Sequence, residues 1–259
     1  MQRSGTLYTL VFATVVCAVC SVFVSGARVA LGARQERNVL LDRQKNVLAV
    51  SGLIKPEESL SADEIQKRFE DNLSLRFIDL QTGQYVEEGV PTGYDPVKAT
   101  TDPALSGPAP ANAAGVTRLP KYAVVYHVMK EGKVDQVILQ VWGQGLWSTL
   151  YGYLALDTDC NTIRGLTFYS HAETPGLGGE VDNPRWKALW PGRKAYDESG
   201  QPAIKVIKGA AGPVEEAPHE VDGLSGATIT GRGVESLLNF WLGDHGYRSY
   251  LDSFRQQQT

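Results

Sequence analysis

The first part of the chain contains a long segment without charge, and this segment limits the possible folds more than any other feature. No charged residue occurs in residues 4–27, and residues 7–24 are mostly Leu, Val, Phe, Ala and Cys. About 20 apolar residues in a helix, rising ~1.5 Å each, cross a hydrocarbon core of about 30 Å. The sequence therefore predicts one transmembrane anchor, residues 1–32, that contacts the lipid bilayer.

A cleaved signal peptide is the alternative for this segment. Arg3 gives it a basic start, and Ser25-Gly26-Ala27 offers the small residues that a signal peptidase accepts. The apolar run is longer than the roughly 7 to 15 residues of a usual signal core, which favours a retained anchor. Both interpretations direct the chain to a membrane.

The charges beside the anchor bear on its orientation. Only Arg3 precedes it, whereas five basic residues follow it closely: Arg28, Arg34, Arg37, Arg43 and Lys45. By the positive-inside rule, this excess would keep the large domain in the cytoplasm. Large domains nevertheless cross membranes largely regardless of flanking charge.

The composition excludes several classes of protein. The 259 residues carry 25 basic and 29 acidic side chains, a net charge of −4. Nucleic-acid-binding proteins concentrate positive charge on one face, so we expect no nucleic-acid partner. Three cysteines and four histidines without regular spacing suit neither a disulfide scaffold nor a four-ligand zinc array.

Residues 33–120 are expected to form a stalk helix, a small α/β segment and an insert. The helical spacing of apolar residues continues over 33–51. Ser61 and Glu64 form a capping-box pattern that begins a second helix. Residues 91–120 hold six of the 13 prolines, which predicts an irregular linker or a long surface loop.

Beyond residue 120 the pattern changes to strands. Strands are predicted at 76–80, 122–129, 133–142, 153–156, 162–169 and 203–207, and only the first of them lies before residue 120. Helices are predicted at 230–242 and 247–254. The predicted class is α+β: an antiparallel sheet with flanking helices in residues 121–259, behind the N-terminal transmembrane helix.

Residues 222–228, Asp-Gly-Leu-Ser-Gly-Ala-Thr, form the most informative motif. As local structure, they are a small-residue turn in which Ser225, Thr228 or Thr230 caps the following helix. Alternatively, the small side chains let a phosphate approach free N–H groups at the helix N-terminus. A threonine hydroxyl there can carry the phosphate covalently.

Residues 171–180, His-Ala-Glu-Thr-Pro-Gly-Leu-Gly-Gly-Glu, predict a type II Pro-Gly turn and a flexible loop. A metal site is one alternative, although no helical His/Glu spacing supports its four candidate ligands, which are His171, Glu173, Glu180 and His219. In another alternative the loop covers a planar ligand. Glu173 and Thr174 would then be hydrogen-bonding groups, and Leu177 an apolar contact.

A third segment, residues 143–148, ends a strand with small residues and places Trp147 beside Gly145. A tryptophan in such a position belongs to a core more often than to a ligand site. Sequence spacing alone leaves both interpretations open.

The three segments together resemble the FMN-binding domain family. Asp-x-x-Ser-Gly-Ala-Thr at 222–228 is similar to its flavinylation motif, and 171–178 and 145–147 look like further segments of that family. The order of anchor, stalk, proline-rich insert and flavin domain, with Arg-Gln-Glu-Arg-Asn-Val-Leu at 34–40, resembles the C subunit of the sodium-translocating NADH:quinone reductases. This resemblance covers nearly the whole chain.

The resemblance implies a cofactor and its attachment point. Thr228 would carry FMN through a phosphoester, installed by a separate flavin transferase that cleaves FAD. Asp222 would serve in recognition or positioning, because a carboxylate beside a phosphodiester is repulsive. Ser225 would donate to a phosphate oxygen, and Gly226 and Ala227 would leave room for the bulky donor.

The resemblance also implies a seat for the flavin ring. Glu173 and Thr174 would tune its reduction potential as electrostatic and hydrogen-bonding neighbours. Leu177 and Trp147 would lie near the ring, with Gly145 beside them.

By the same resemblance, the chain is a single-pass protein of the bacterial cytoplasmic (inner) membrane, with its flavin domain on the periplasmic side. It would relay electrons from an iron centre to a neighbouring flavin, within a complex of several subunits that oxidises NADH, reduces ubiquinone and exports Na⁺. We follow this placement over the charge bias beside the anchor.

Two other functions remain as alternatives. One is the flavoprotein subunit of the ion-translocating ferredoxin:NAD oxidoreductase, which shares the flavin motif; the longer chain with its insert at 91–120 favours the quinone reductase. The other is a non-enzymatic, membrane-anchored binding or assembly module, in which the turn at 222–228 is only a helix cap.

Overall fold

The computed structural model of the chain describes residues 5–55 and 58–258. It divides the chain into two units, Met1–Arg43 and Gln44–Thr259. The helices are α1 (Thr6–Val50), α2 (Ala62–Asn72), α3 (Pro96–Ala99), α4 (Pro184–Lys187), α5 (Thr228–Leu242) and α6 (Arg248–Gln258). The strands are β1 (Leu73–Asp79), β2 (Ser106–Pro108), β3 (Arg118–Pro120), β4 (Tyr122–Lys130), β5 (Lys133–Gln144), β6 (Thr149–Asp157), β7 (Ile163–Ser170), β8 (Lys205–Val206) and β9 (Glu220–Val221).

Helix α1 joins the predicted anchor and the predicted stalk in one run of 45 residues. Within the described part of the chain, its segment Thr6–Gly32 is the one helix long and apolar enough to cross a membrane. The helix ends as expected, because Gly52 takes a φ of +74° and the Ser51 hydroxyl donates to the Leu48 carbonyl. Its last turn belongs to the larger unit.

The larger unit is built on a five-stranded antiparallel sheet in the order β1-β4-β5-β6-β7. The hairpin β4–β5 was predicted, and it turns at Glu131 and Gly132, which both have positive φ values of 52° and 77°. Two successive positive φ values define a type I′ turn, which matches the twist of paired strands. The α+β class predicted from the sequence is confirmed.

The sheet buries one face against the C-terminal helices. Val137, Leu139 and Val141 alternate along β5 and are fully buried in the same core as Trp241 of α5. The Trp241 indole donates to the Trp142 carbonyl at 2.6 Å, and the Tyr247 hydroxyl donates to the Gln140 carbonyl at 2.7 Å. These bonds fix α5 at the end of β5, where the site described below is formed.

The opposite face receives the end of α1 and helix α2. The Gln136 amide donates to the Ser51 carbonyl at 3.1 Å, and the Phe69 ring meets the Tyr126 ring edge-on. Helix α2 begins with the predicted capping box, in which the Ser61 hydroxyl accepts from the Glu64 amide. Strand β1 starts three residues before the strand predicted at 76–80.

The proline-rich residues 91–120 are not an irregular linker throughout. They contain the short helix α3 and the two-stranded sheet β2–β3, and they bury Ala99, Ala114 and Val116. The Ala114 carbonyl accepts from the amide of Gln144 at 2.7 Å, which joins this segment to the end of β5. Small apolar side chains between the prolines pack well here, so residues 44–120 and 121–259 lie in one compact unit.

Candidate functional site

The three segments singled out in the sequence meet at the N-terminus of α5. Residues 145–148 connect β5 to β6, residues 171–177 follow β7, and residues 222–227 lead from β9 into α5. A Cβ atom on Gly226 would lie 2.8 Å from Leu177 Cδ2, so the second and third segments touch. The fold therefore brings together residues that are far apart in the chain.

The carboxylate of Glu173, in the loop after β7, bonds to the loop 145–148 and to helix α5. Its Oε2 accepts from the Thr230 hydroxyl of α5 at 2.7 Å. Its Oε1 accepts from the backbone amides of Trp147 at 2.9 Å and Ser148 at 3.2 Å. The Ser148 hydroxyl in turn accepts from the Ala172 amide at 2.7 Å, which joins the first two segments a second time.

The carboxylate of Glu173 is ionised by its hydrogen bonds in spite of its burial. The residue is 5% exposed, and burial by itself raises the pKa of a carboxyl group. The donors at Thr230, Trp147 and Ser148 outweigh that effect, so the pKa of Glu173 lies below its ordinary value. The site thus contains a buried negative charge, and both oxygens of its carboxylate already accept hydrogen bonds from the protein.

Glycines make room for this carboxylate. A Cβ on Gly145 would lie 2.6 Å from Glu173 Oε1, and a Cβ on Gly178 would lie 2.6 Å from both Glu173 Oε2 and Thr230 Oγ1. Any larger residue at either position would displace the carboxylate or its donor. Gly145, expected as a ring neighbour, therefore serves the packing of Glu173.

The turn at 222–228 is held without help from that carboxylate. Asp222 Oδ1 accepts from the Ala211 amide at 2.9 Å, and the Asp222 carbonyl accepts from the Trp186 indole at 2.9 Å. Gly226 takes a φ of +71°, the left-handed region that favours glycine. Asp222 thus holds the start of the turn against Ala211 and Trp186.

The interpretation of this turn as a helix cap is wrong. The N-cap residue of α5 is Ala227, and no side chain caps the first turn. Thr230 donates to Glu173 instead, while Ser225 and Thr228 are exposed. The first turn of α5 is therefore open to an external acceptor of N–H groups.

A cavity of about 400 Å³ lies beside the open turn, and it is lined by Thr228, Ser225, Gly226, Asp222 and residues 206–209. Ligand pockets in proteins typically measure ~300–1,000 Å³. The exposed ammonium group of Lys208 is the one cationic side chain among these lining residues. Sequence reasoning missed Lys208; the signal was a lysine two residues after the short strand β8, just before Gly209.

Arg193 supports the loop behind Lys208. It is 5% exposed, and its guanidinium donates to the carbonyls of Ala217 at 2.6 Å and Gly212 at 3.0 Å. The amide of Gly223 also donates to the Gly209 carbonyl at 2.8 Å. The wall of the cavity is therefore a hydrogen-bonded loop.

Exposed apolar side chains surround the N-terminus of α5. They are Trp147 at 70%, Ile229 at 57%, Leu177 at 44% and Leu146 at 41% exposure. The expectation that a tryptophan here belongs to the core is wrong, because the Trp147 backbone is held by Glu173 and its ring points to solvent. Thr174 is also exposed, and its carbonyl accepts from the Leu177 amide in the predicted Pro-Gly turn.

The four candidate metal ligands have separate partners. The imidazole of His171 lies 2.7 Å from Asp182, and His219 donates to the Lys194 carbonyl at 2.9 Å. Glu180 accepts from the Asn183 amide at 2.6 Å. Across the residues that the structure describes, no group of three or more His, Cys, Asp or Glu side chains is placed to hold a metal ion.

Comparisons with known proteins identify the family of the chain. Residues 145–243 match the family model of the FMN-binding domain. The chain is similar to the C subunit of the Na(+)-translocating NADH-quinone reductase of Pseudomonas aeruginosa, with 49% identity over 100% of this chain and 99% of that protein. The corresponding protein of Yersinia pestis is 44% identical, over 96% and 92%.

Solved structures show the same fold. The crystal structure of Shewanella oneidensis NqrC matches with a TM-score of 0.76 and 32% identity, over 86% of this chain and 99% of that one. The equivalent protein from Parabacteroides distasonis matches with a TM-score of 0.66 and 28% identity, over 85% and 96%. The chain therefore belongs to the family formed by the C subunits of Na(+)-translocating NADH-quinone reductases.

Proposed function

We propose that the chain is a membrane-anchored flavoprotein subunit that carries FMN on Thr228 through a phosphoester and relays electrons within a Na⁺-translocating NADH:ubiquinone reductase complex. The observation that carries the proposal is the exposed Thr228 hydroxyl at the rim of the 400 Å³ cavity, on a helix whose first turn has no capping side chain. The partners are the other subunits of the complex and, during maturation, a flavin transferase.

The residues around Thr228 suit a phosphodiester. The anion would face the open amides of α5 and the favourable end of its dipole. Lys208 supplies a positive charge in the same cavity, and the exposed hydroxyl of Ser225 supplies a donor. Asp222 keeps its carboxylate on the Ala211 amide, so it shapes the turn without contacting the phosphate.

The attachment would transfer the FMN part of FAD to the Thr228 hydroxyl. The Thr228 oxygen forms a bond to the phosphorus of the FMN half of FAD, the phosphoanhydride bond breaks, and AMP leaves. The hydroxyl proton passes to a base of the transferase. Gly226 and Ala227 present little side-chain bulk to the donor, in agreement with the small-residue composition of the turn.

The exposed apolar side chains suit a planar ring. Trp147 and Leu177 flank the start of α5, and Thr174 lies between them in sequence at an exposed turn. Bound FMN supplies reversible electron transfer at its isoalloxazine ring, which protein neighbours tune. These side chains would bind the ring and shield it from water, with the attachment at the opposite end of the ribityl chain.

The membrane helix supports a place at the bacterial inner membrane, and the resemblance of the whole chain supports a periplasmic flavin domain. The quinone reductase is favoured over the ferredoxin:NAD complex because the full-length relatives bear the name of the quinone reductase. A simple binding or assembly module is disfavoured, since its helix cap is absent.

Covalent flavin tests the proposal directly. The chain is expressed with and without a flavin transferase, denatured, separated on a gel and inspected under ultraviolet light. We expect a fluorescent band only with the transferase, and none for Thr228→Ala, which should be expressed equally well and melt at the temperature of the unlabelled chain. Thr228→Ser retains a hydroxyl and is expected to keep part of the label. A dark band for the unsubstituted chain in both cases would refute covalent attachment.

A further inference from the structure

Both oxygens of the Glu173 carboxylate accept from protein donors, which lie on two other parts of the chain: the loop 145–148 and helix α5. A residue bound in this way acts on a ligand through the groups that it holds. Those groups are the backbone amides of Trp147 and Ser148 and the Thr230 hydroxyl in the first turn of α5, the helix that begins at Thr228.

We propose that Glu173 is the positioning residue of the flavin site, which holds the ring of the attached FMN in one orientation. This inference rests on the attachment at Thr228 proposed above. Glu173 does so by fixing Trp147 relative to the start of α5.

The helix geometry links Glu173 to Thr228. Successive residues of an α-helix are about 100° apart, so Thr228 and Thr230 are separated by about 200° around α5. Because Glu173 holds the fully buried Thr230 hydroxyl inward, Thr228 must face outward. The bond to Glu173 thus acts together with the packing of Gly233 against β5 to set the rotation of the helix start, and with it the direction of the tether.

The surroundings of Glu173 leave the carboxylate little freedom. Gly145 and Gly178 are in such close contact with its two oxygens that neither can accept a Cβ without displacement. The neighbouring bond from the Ala172 amide to Ser148 limits the loop as well. A ring seated between Trp147 and α5 would therefore have a rigid base.

Attachment and orientation are separable in this geometry. The turn at 222–228 is closed by its own bonds, including the one from the Ala227 amide to the Leu224 carbonyl at 3.1 Å and the one from Ala211 to Asp222. None of these involves Glu173. Loss of Glu173 should therefore free the ring while Thr228 still receives the flavin.

The test uses the full-length chain in detergent, labelled by a flavin transferase. Three variants are compared with the unsubstituted chain: Glu173→Ala removes the carboxylate, Thr230→Val removes its donor on α5, and Glu173→Gln keeps its shape without charge. Tyr250→Phe is the control, since it removes a buried bond of 2.7 Å to His127 in another part of the domain. The measurements are label stoichiometry, fluorescence anisotropy of the attached flavin, its midpoint potential and the melting temperature.

We expect full labelling of Thr228 in every variant. Glu173→Ala and Thr230→Val should lose anisotropy and shift the midpoint potential toward that of free FMN, because the ring is released. Glu173→Gln should retain the anisotropy but raise the potential, because the nearby negative charge that opposes electron uptake is gone. Tyr250→Phe should lower only the melting temperature.

Two results overturn the inference. One is an unchanged anisotropy and potential in the labelled Thr230→Val and Glu173→Gln variants. The other is an equal change in the Tyr250→Phe control, which would attribute the effect to general destabilisation. An unlabelled wild-type chain would instead refute the proposed attachment, so the two failures are distinct.

Discussion

Thr228 and Thr230 lie two positions apart, yet their hydroxyl groups have opposite surroundings. Thr228 is exposed at the cavity, whereas Thr230 is fully buried and donates to Glu173. The motif in the sequence favoured Thr228 but could not exclude Thr230. The distinction depends on Glu173, which is 57 residues away in the chain, and a contact of that sequence separation leaves no local pattern.

The place of Lys208 in the site could not be predicted from the sequence for a similar reason, because its cavity is formed by residues from separate segments. We predict that attachment of FMN raises the melting temperature of the chain, because Lys208 and the start of α5 stabilise the phosphodiester. Lys208→Gln should reduce the gain in the free energy of unfolding that attachment gives by about 0.3–1 kcal/mol, the usual contribution of a charge at an exposed helix end.

Lys205→Gln is the matched control for this prediction. Lys205 is exposed on β8, three residues from Lys208, and does not line the cavity. The measurement is the melting temperature of labelled and unlabelled forms of each variant. Equal losses for the two lysines would show that net charge, and not the cavity, is responsible.

His127 provides a prediction of pH dependence. Its ring lies 2.7 Å from the Tyr250 hydroxyl, and burial, with a smaller contribution from the charge of Arg76, lowers its pKa to about 4. Unfolded His127 is protonated below a pH of ~6.5, but folded His127 only below about 4. The stability conferred by the neutral ring is therefore complete above pH ~6.5 and is lost as the pH falls toward 4, by ~3 kcal/mol at most.

Denaturant unfolding at pH 7 and pH 4.5 tests this prediction. The free energy of unfolding should fall less for His127→Gln than for the unsubstituted chain. Carboxyl groups titrate in the same range, but they are identical in the two proteins and their contribution cancels. An identical fall in both would assign the acid sensitivity to the carboxyl groups alone.

Among the structural elements, α5 contains glycines that its packing requires. A Cβ on Gly233 would lie 2.5 Å from the Gln144 carbonyl oxygen and 3.2 Å from Gly145 Cα, whereas on Gly231 its nearest neighbour would be a methyl group of Val206 at 3.1 Å. Helix propensity alone favours alanine at both positions by roughly 1 kcal/mol.

We predict that Gly233→Ala lowers the free energy of unfolding by about 1–3 kcal/mol, because backbone atoms must move. Gly231→Ala should have a smaller effect, since the Val206 side chain can shift. Chemical denaturation of the two variants measures the difference. If the two variants lost the same free energy of unfolding, close packing of α5 on β5 would not explain why glycine is needed at position 233.

The elements with a local signal were predictable from the sequence. The capping box at Ser61, the turn at Glu131 and Gly132, and the end of α1 each depend on residues within a few positions. The fold of residues 91–120 was not predictable, because composition indicated a loop while packing of Ala114 beside Gln144 determined the outcome.

At the scale of the whole molecule, cysteine labelling can show on which side of the membrane the domain lies. The natural cysteines do not need to be replaced for this experiment. Cys160 is buried and Cys17 and Cys20 lie in the apolar helix. We predict that Gln256→Cys, at an exposed position of α6, reacts with a membrane-impermeant maleimide added to intact spheroplasts. The unsubstituted chain should remain unlabelled under the same conditions.

Labelling of Gln256→Cys only after the membrane is permeabilised would place the domain in the cytoplasm, as the basic residues after the anchor suggest. The same samples, probed with an antibody to the C-terminus, show whether the chain stays in the membrane fraction. Release into the soluble fraction would favour the signal-peptide interpretation of residues 4–27.

The open first turn of α5 has a consequence for how folding and modification are related. The chain leaves the N–H groups after Ala227 without a capping side chain, at the one place where a phosphodiester is proposed to be attached. Such an anion would do for the helix what an N-terminal serine or aspartate does elsewhere. If FMN is attached as proposed, the polypeptide without it would lack hydrogen-bond partners at the start of α5, and the modification would complete the helix.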